Sequence, residues 1–180
     1  ACGPGTFIGN YLDSKSLGVD ISKKQIQYAI NNYSENGTFM TTEEFKIKNY
    51  FENYDVITVI GLLEFISEDQ AISLVEDLYS LLKPGGKILL TTPNYRGSMY
   101  FLEKLVNLFG DVSYQNQHIA RYNKSKIKKI LEKSSFKKIE VKKIINIGIS
   151  FSIFNHNLGR LVEGFIERVF NNFFGFILLV

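Results

Sequence analysis

Asp55-Val56-Ile57-Thr58-Val59-Ile60 is a run in which five consecutive side chains are β-branched. Branching at Cβ restricts χ1 against the preceding helical turn and favours the extended chain. The run does not alternate with polar residues, so it predicts a strand buried on both faces of a parallel sheet, with helices as its neighbours. Residues 69 to 82 supply one, with Ile72, Leu74, Val75, Leu78, Leu81 and Leu82 apolar and Pro84-Gly85-Gly86 as its stop. Lys87 to Thr92 is the next strand. Upstream, Leu17-Gly18-Val19 is a short strand ending at Asp20. Ser22 caps a helix carrying Ile26, Ala29 and Ile30, and Thr38 to Met40 is a further strand.

Downstream the same rhythm continues. Asn123 or Ser125 caps a helix with Ile127, Ile130 and Leu131, a strand follows around Ile139 to Ile145, and Leu158, Leu161, Val162, Phe165, Ile166, Val169 and Phe170 form a helical stripe. Gly175 introduces a last strand, Phe176 to Val180, expected to lie antiparallel at one side. Alternating strands and helices predict an α/β fold with an open, doubly wound sheet in a single domain, 1–180. The rhythm breaks between Pro93 and Gln117, where Tyr100, Phe101, Leu102, Leu105, Val106, Leu108 and Phe109 mark an amphipathic helix closed by Gly110. Residues 94–117 are therefore expected to be an inserted lid segment over the strand ends.

Composition agrees with one globular domain: 180 residues, 45% hydrophobic and 22% charged, enough for a sizeable core and unlike a disordered chain. A single cysteine, Cys2, can neither close an intramolecular disulfide nor build a thiolate cluster, which points to a reducing cytoplasm. No apolar run approaches the roughly 20 residues of a spanning helix. The chain opens at Ala1 directly into a glycine loop, without a charged or apolar leader, so it reads as starting inside that loop. The net charge is +3, but ten Lys/Arg against two acids fall in residues 121–145. Such a stretch is either a solvated face or a patch for phosphate or anionic lipid.

In a doubly wound sheet, ligands bind beyond the carboxyl ends of the strands, beside the first glycine loop. Cys2-Gly3-Pro4-Gly5-Thr6 is such a loop, where Gly3 and Gly5 allow backbone N–H groups to face a ligand. Asp20 ends the second strand of that design, 15 residues past Gly5, where a carboxylate can accept from the hydroxyls of a ribose or cap the following helix. The dinucleotide pattern G-x-G-x-x-G is not met, because Ile8 stands at its third glycine and Gly9 comes one place late. A nicotinamide cofactor is disfavoured.

The succession CGPGTF, GVD, YDVITVIGLLEF and LLKPGGKILLTTPN resembles the class I S-adenosylmethionine-dependent methyltransferases of the bacterial small-molecule type, beginning inside their first motif. QHIARYNKSKIKKILEKSSF and GFILLV resemble the second half of the same fold. The resemblance implies a Rossmann-like seven-stranded sheet whose first strand lies mostly upstream of Ala1, and S-adenosyl-L-methionine as cofactor. It implies that Ala1, Gly3 and Gly5 line the methionine part of the cofactor and that Asp20 holds its ribose. Glu43 or Thr42 falls at the adenine contact, and Gly61 and Leu62 border the amino acid end. Many relatives carry Glu-His where this chain has Glu64-Phe65, and some use that pair for a divalent ion. Phe65 removes the His, so no metal is expected, and Glu64 reads as a helix-start or loop-ordering group.

Methyl transfer from a sulfonium is an in-line displacement that depends on alignment and exclusion of water. A hydroxyl acceptor also benefits from a general base, and His118, between the inserted segment and the Asn123 helix, is the better placed of the two histidines. Tyr95 and Arg96 follow the fifth strand of the implied sheet, where acceptor loops gather, and Arg96 suits a carboxylate or phosphate. Pro93-Asn94-Tyr95 resembles the Asn-Pro-Pro-Tyr signature of amino-group methyltransferases, but that signature follows the fourth strand, which here runs into GLLEF. The reading is therefore O-methylation of a small apolar, lipid-linked or sugar acceptor by a cytoplasmic enzyme in transient contact with a membrane surface. The competing reading is a non-catalytic nucleotide-binding or membrane-peripheral module of the same fold. Scarcity of arginine speaks against a nucleic-acid partner, and the oligomeric state is left open.

Overall fold

The computed structural model describes residues 1–96, 117–146, 148–152, 155–173 and 175–180. The inserted lid expected at 94–117 therefore lies outside the described residues except at Asn94, Tyr95, Arg96 and Gln117. The described chain forms two compact units, Ala1–Ile60 with Ser80–Lys87, and Gly61–Tyr79 with Ile88–Val180.

The first unit begins with the glycine loop and α1 (Thr6–Tyr11), followed by β1 (Ser16–Asp20), α2 (Lys23–Tyr33) and β2 (Gly37–Thr41). β1 and β2 pair in parallel, with Ser16 opposite Gly37 and Asp20 opposite Thr41. Ile8, Ile26, Ala29 and Phe39 form the core, with Cys2, Leu12 and Tyr33 packed against it. Gly5 is indispensable to this packing: its φ is +76°, and a Cβ there would stand 2.8 Å from both Ala29 Cβ and Phe39 Cε1. Ser22 caps α2 as expected, its hydroxyl accepting from Gln25 N–H.

β3 (Tyr54–Ile60) covers the β-branched run, but not with the burial expected of it. Val59 is buried, whereas Val56 and Ile60 are exposed. The physical reason lies in the helices of this unit, because α2 packs on β1 and β2 and α1 packs on α2. A continuous branched run specifies extended backbone; burial on both faces also needs a helix on each.

The second unit holds α3 (Glu68–Leu81) as far as Tyr79, and its N-terminus carries a reciprocal cap. Gln70 N–H donates to Ser67 Oγ while Ser67 N–H donates to Gln70 Oε1. β4 (Leu82–Pro93) follows at once, five residues earlier than expected, taking in Pro84-Gly85-Gly86 with φ +82° at Gly85. β4 starts in the first unit and ends in the second. Asn123 caps α4 (Lys124–Leu131), accepting from Lys126 N–H, and α4 buries Ile127, Ile130 and Leu131. β5 (Lys142–Ile144) is shorter than the expected Ile139–Ile145. α5 (Gly148–Phe151) was not expected from the apolar run there, and α6 (His156–Phe170) carries the predicted stripe behind an Asn155 cap.

β6 (Ile177–Leu179) closes the fold and is antiparallel to both neighbours. Thr92 pairs with Leu178 on one side and Lys143 with Leu178 on the other. The antiparallel last strand is thus borne out. The single seven-stranded sheet is not what the described residues form: they place six strands in a two-stranded and a four-stranded sheet. Buried Asn94 fastens the end of β4 to the segment entering β6, donating its side-chain N–H to Gly175 O and its backbone N–H to Phe176 O.

Candidate active site

The glycine loop is tied to the end of β1 by two bonds. Cys2 N–H donates to Val19 O at 2.9 Å, and Gly3 N–H donates to Asp20 Oδ2 at 2.9 Å. Asp20 Oδ1 accepts from Ser22 N–H at 2.9 Å, and Asp20 is buried. Helix entry and loop ordering are therefore both tasks of this carboxylate. An ionised carboxylate has about four lone-pair positions. Two are taken by Gly3 and Ser22, which leaves capacity for two hydroxyl donors, as a ribose diol would require. Outside Gly3 nothing lies within 4 Å of where a Cβ would stand. These residues fit an adenosine-type ligand. Ala1, beside them, is exposed.

After β2 the two neighbouring acids take different parts. Glu43 is exposed and pairs with Lys23 at 3.1 Å. Glu44 was not singled out from the sequence, yet it accepts from Thr41 N–H at 2.7 Å and Thr41 Oγ1–H at 2.8 Å. Those two bonds hold its carboxyl below the usual carboxylate range. Thr42 N–H donates to Asp20 O at 3.0 Å, so the β2 turn and the β1 end are coupled through backbone. A cleft of about 270 Å³ lined by Lys15, Leu17, Met40 and Tyr54 lies at the amino end of β1 and is not part of this arrangement.

In the second unit, Gly61 has φ +59° and donates its N–H to Thr91 O at 3.1 Å. Leu62 is half-buried and opens the 3₁₀ turn Leu63–Phe65. Within that turn Glu64 is buried and its Oε2 accepts from Thr92 Oγ1–H at 3.0 Å. Burial pushes its carboxyl above the usual range, against the lowering effects of hydrogen bonds and of the nearby His118 charge. Glu64 O also accepts from Ile119 N–H at 2.8 Å and Ala120 N–H at 3.1 Å, fastening the residues that follow His118.

Tyr95 and His118, 23 positions apart, are joined by a hydrogen bond between Tyr95 Oη and His118 Nδ1. The two rings are edge to face with centroids 5.8 Å apart, and Phe65 meets the same imidazole edge-on at 5.2 Å. Phe65 thus supplies a ring contact to His118. Arg121, which sequence reasoning passed over as part of a basic stretch, places its guanidinium 5.6 Å from the Tyr95 ring centroid. Arg96 is exposed. Tyr122 is fully buried with its hydroxyl unpartnered among the described residues, and desolvation together with Glu68 and Glu64 pushes it up to about 12.

A family model described as a methyltransferase domain matches residues 1–141. The chain belongs to this methyltransferase family. Solved structures share the fold. The PH0226 protein of Pyrococcus horikoshii superposes with a TM-score of 0.63 at 18% identity, covering 81% of this chain and 74% of that one. A SAM dependent methyltransferase from Archaeoglobus fulgidus gives 0.61 at 19% identity, covering 99% and 81%. The magnesium protoporphyrin IX methyltransferase of Synechocystis, solved with bound SAH, gives 0.58 at 21%, covering 78% and 63%. No curated protein matches the sequence. The expected family, fold class and enzyme class of the methyltransferase domain are thereby borne out. The expected donor agrees with neighbours that carry it in their names and with the one solved with bound SAH, its demethylated product.

Proposed function

We propose that this methyltransferase uses S-adenosylmethionine to methylate a hydroxyl on a small apolar, lipid-linked or sugar acceptor. The methyl donor supplies an electrophilic carbon on a sulfonium, and the chain's own residues hold and deprotonate. By the family resemblance, Ala1, Gly3 and Gly5 line the methionine part, and the backbone of Gly61 and Leu62 is assigned to its amino acid end. Asp20 takes the ribose, and Thr42 or Glu43 borders the adenine. His118 serves as general base, Tyr95 and Arg96 meet the acceptor, and no metal is needed. The observation that carries the oxygen reading is the Tyr95–His118 hydrogen bond, which gives an imidazole nitrogen a defined proton partner in a half-buried, aromatic setting.

The membrane-surface contact rests on α6. Leu158, Leu161, Phe165 and Val169 recur at i, i+3, i+7 and i+11 and are all exposed, Leu161 at 72% and Phe165 at 63%. The helical acids lie opposite this ridge: Glu163 accepts from Asn146 and Glu167 from Asn172. Arg168 flanks the ridge, and Lys143 sits over the Phe173 ring at 4.8 Å. An apolar ridge bordered by cations suits an anionic lipid surface. The basic stretch contributes less than its charge count suggests, because Lys126 pairs with Glu68, Lys128 with Glu132 and Lys142 with Glu140. Among the described residues no helix is long and apolar enough to cross a membrane.

The test is transfer of labelled methyl from S-adenosylmethionine to a panel of phenols, hydroxylated quinone precursors, sugars and amines. The expected product is a methyl ether, with turnover lowered about 10²–10⁴-fold in His118→Ala. Products on amines alone would overturn the oxygen reading and leave the donor site standing. A non-catalytic module of the same fold would give S-adenosylhomocysteine binding and no product on any acceptor.

A further inference from the structure

Glu64 makes bonds that point past loop ordering. Its backbone carbonyl accepts from both Ile119 and Ala120, the two residues after His118, and its neighbour Phe65 packs edge-on against the imidazole. The position of His118 is thus set from the 3₁₀ turn Leu63–Phe65. On the other side the imidazole is held by Tyr95, whose ring lies under the Arg121 guanidinium. The Glu64 carboxylate is buried and fixed by the Thr92 hydroxyl, with the His118 charge close enough to act on it. A buried carboxylate that opposes a positive charge is worth far more than an exposed one.

The Tyr95–His118 bond also constrains which nitrogen can do what. A phenol near neutral pH carries its proton and can either donate it or accept from a ring N–H. If Tyr95 donates to Nδ1, the neutral imidazole must carry its own proton on Nε2, and it can accept a second proton only at Nδ1. The proton that Nδ1 can receive is the one on Tyr95.

Resting on the oxygen-transfer reading, we infer that Tyr95 Oη is the atom that takes the acceptor's proton, that His118 is the base behind it, and that Glu64 is the positioning residue that holds His118 and opposes its charge. In the step, the acceptor oxygen forms a bond to the methyl carbon. The carbon–sulfur bond breaks with its electron pair left on sulfur as a neutral thioether. The acceptor proton passes to Tyr95 Oη as Tyr95 passes its own to His118 Nδ1. The positive charge lost from the sulfonium reappears on the imidazolium.

The test is nuclear magnetic resonance on the full chain with labelled histidine and glutamate, which needs no acceptor. The chain has two histidines, so His118→Asn assigns the signal. With the imidazole neutral, His118 should show an unprotonated, hydrogen-bonded Nδ1 and a protonated Nε2, and Tyr95→Phe should move the Nδ1 signal to that of an unbonded nitrogen. The Glu64 carboxyl should titrate higher in His118→Asn, because an opposing charge is gone, and should stay put in Tyr95→Phe. Tyr95→Phe keeps the ring and its packing, so it reports on the proton alone. A proton on Nδ1, an Nδ1 signal indifferent to Tyr95→Phe, or a Glu64 midpoint unmoved by His118→Asn would each overturn the assignment. The oxygen-transfer reading stands or falls separately, on the identity of the labelled product.

Discussion

Gly3 N–H donates to Asp20 Oδ2 at 2.9 Å, joining the glycine loop to the end of β1 across 17 positions of chain. The same carboxylate holds Ser22 N–H with its other oxygen. Helix entry and loop order therefore share one residue. Asp20→Ala should abolish the thermal shift produced by S-adenosylhomocysteine and also lower intrinsic stability by about 1–3 kcal/mol, because two backbone donors lose their acceptor. Asp20→Asn keeps one acceptor oxygen and should fall between. A full ligand shift in Asp20→Ala, with NAD as the negative control, would remove Asp20 from the site.

Gly5→Ala should destabilise the first unit by about 1–3 kcal/mol, measured by urea unfolding. The new methyl would meet Ala29 and Phe39 at 2.8 Å, and the backbone sits at φ +76°. A variant as stable as the parent would mean that the loop can relax without disturbing the core.

Glu64 gives stability a pH dependence of defined sign. Its folded carboxyl is raised above the reference value of 4.5. The folded state therefore binds more protons than the unfolded state just above that value, and stability falls as pH rises from there through the folded midpoint. Glu64→Gln, which cannot ionise, should flatten this slope and match or exceed the parent's stability at pH 8. A slope unchanged by the substitution would show that other groups cause it.

Tyr122→Phe should be neutral or stabilising by up to about 1 kcal/mol in thermal unfolding. The hydroxyl is buried without a partner, so its removal relieves desolvation and costs no hydrogen bond. A loss above 1 kcal/mol would reveal a bond to an ordered water.

Leu161→Ser and Phe165→Ser, alone or together, should leave unfolding within about 0.5 kcal/mol of the parent per site, since both side chains are exposed. The double variant should lose co-sedimentation with vesicles containing phosphatidylglycerol. Equal binding by parent and variant would separate α6 from any lipid contact, and a concentration-dependent dimer lost in the variant would reassign the ridge to a second copy of the chain.

The elements legible in the sequence were those with local signals. The caps at Ser22 and Asn123, the stripe of α6 and the short strands β1 and β2 all appear within a residue or two of where periodicity puts them. The β-branched run was read correctly as β3 and wrongly as buried on both faces, because burial depends on where α1 and α2 pack. Among the residues assigned from the sequence, Gly3 is hydrogen-bonded to Asp20, and Tyr95 to His118, contacts that neither assignment specified. Glu44 and Arg121 were missed because their neighbours carried the stronger pattern: the adjacent acid Glu43 in one case, a run of lysines in the other.

What the sequence by itself determined is the alternation of strands and helices, the glycine loop with its carboxylate at the end of β1, and membership of a methyltransferase family. Each rests on contacts within a few residues or on side-chain type at fixed spacing, which the chain carries at every stage of folding. Only the tertiary structure decided that Glu64 turns to Thr92, that His118 touches both Tyr95 and Phe65, and that the apolar ridge of α6 stays exposed. Periodicity states which face of an element is apolar and leaves open what that face meets; contacts across more than 20 residues form only when the packed elements bring them together.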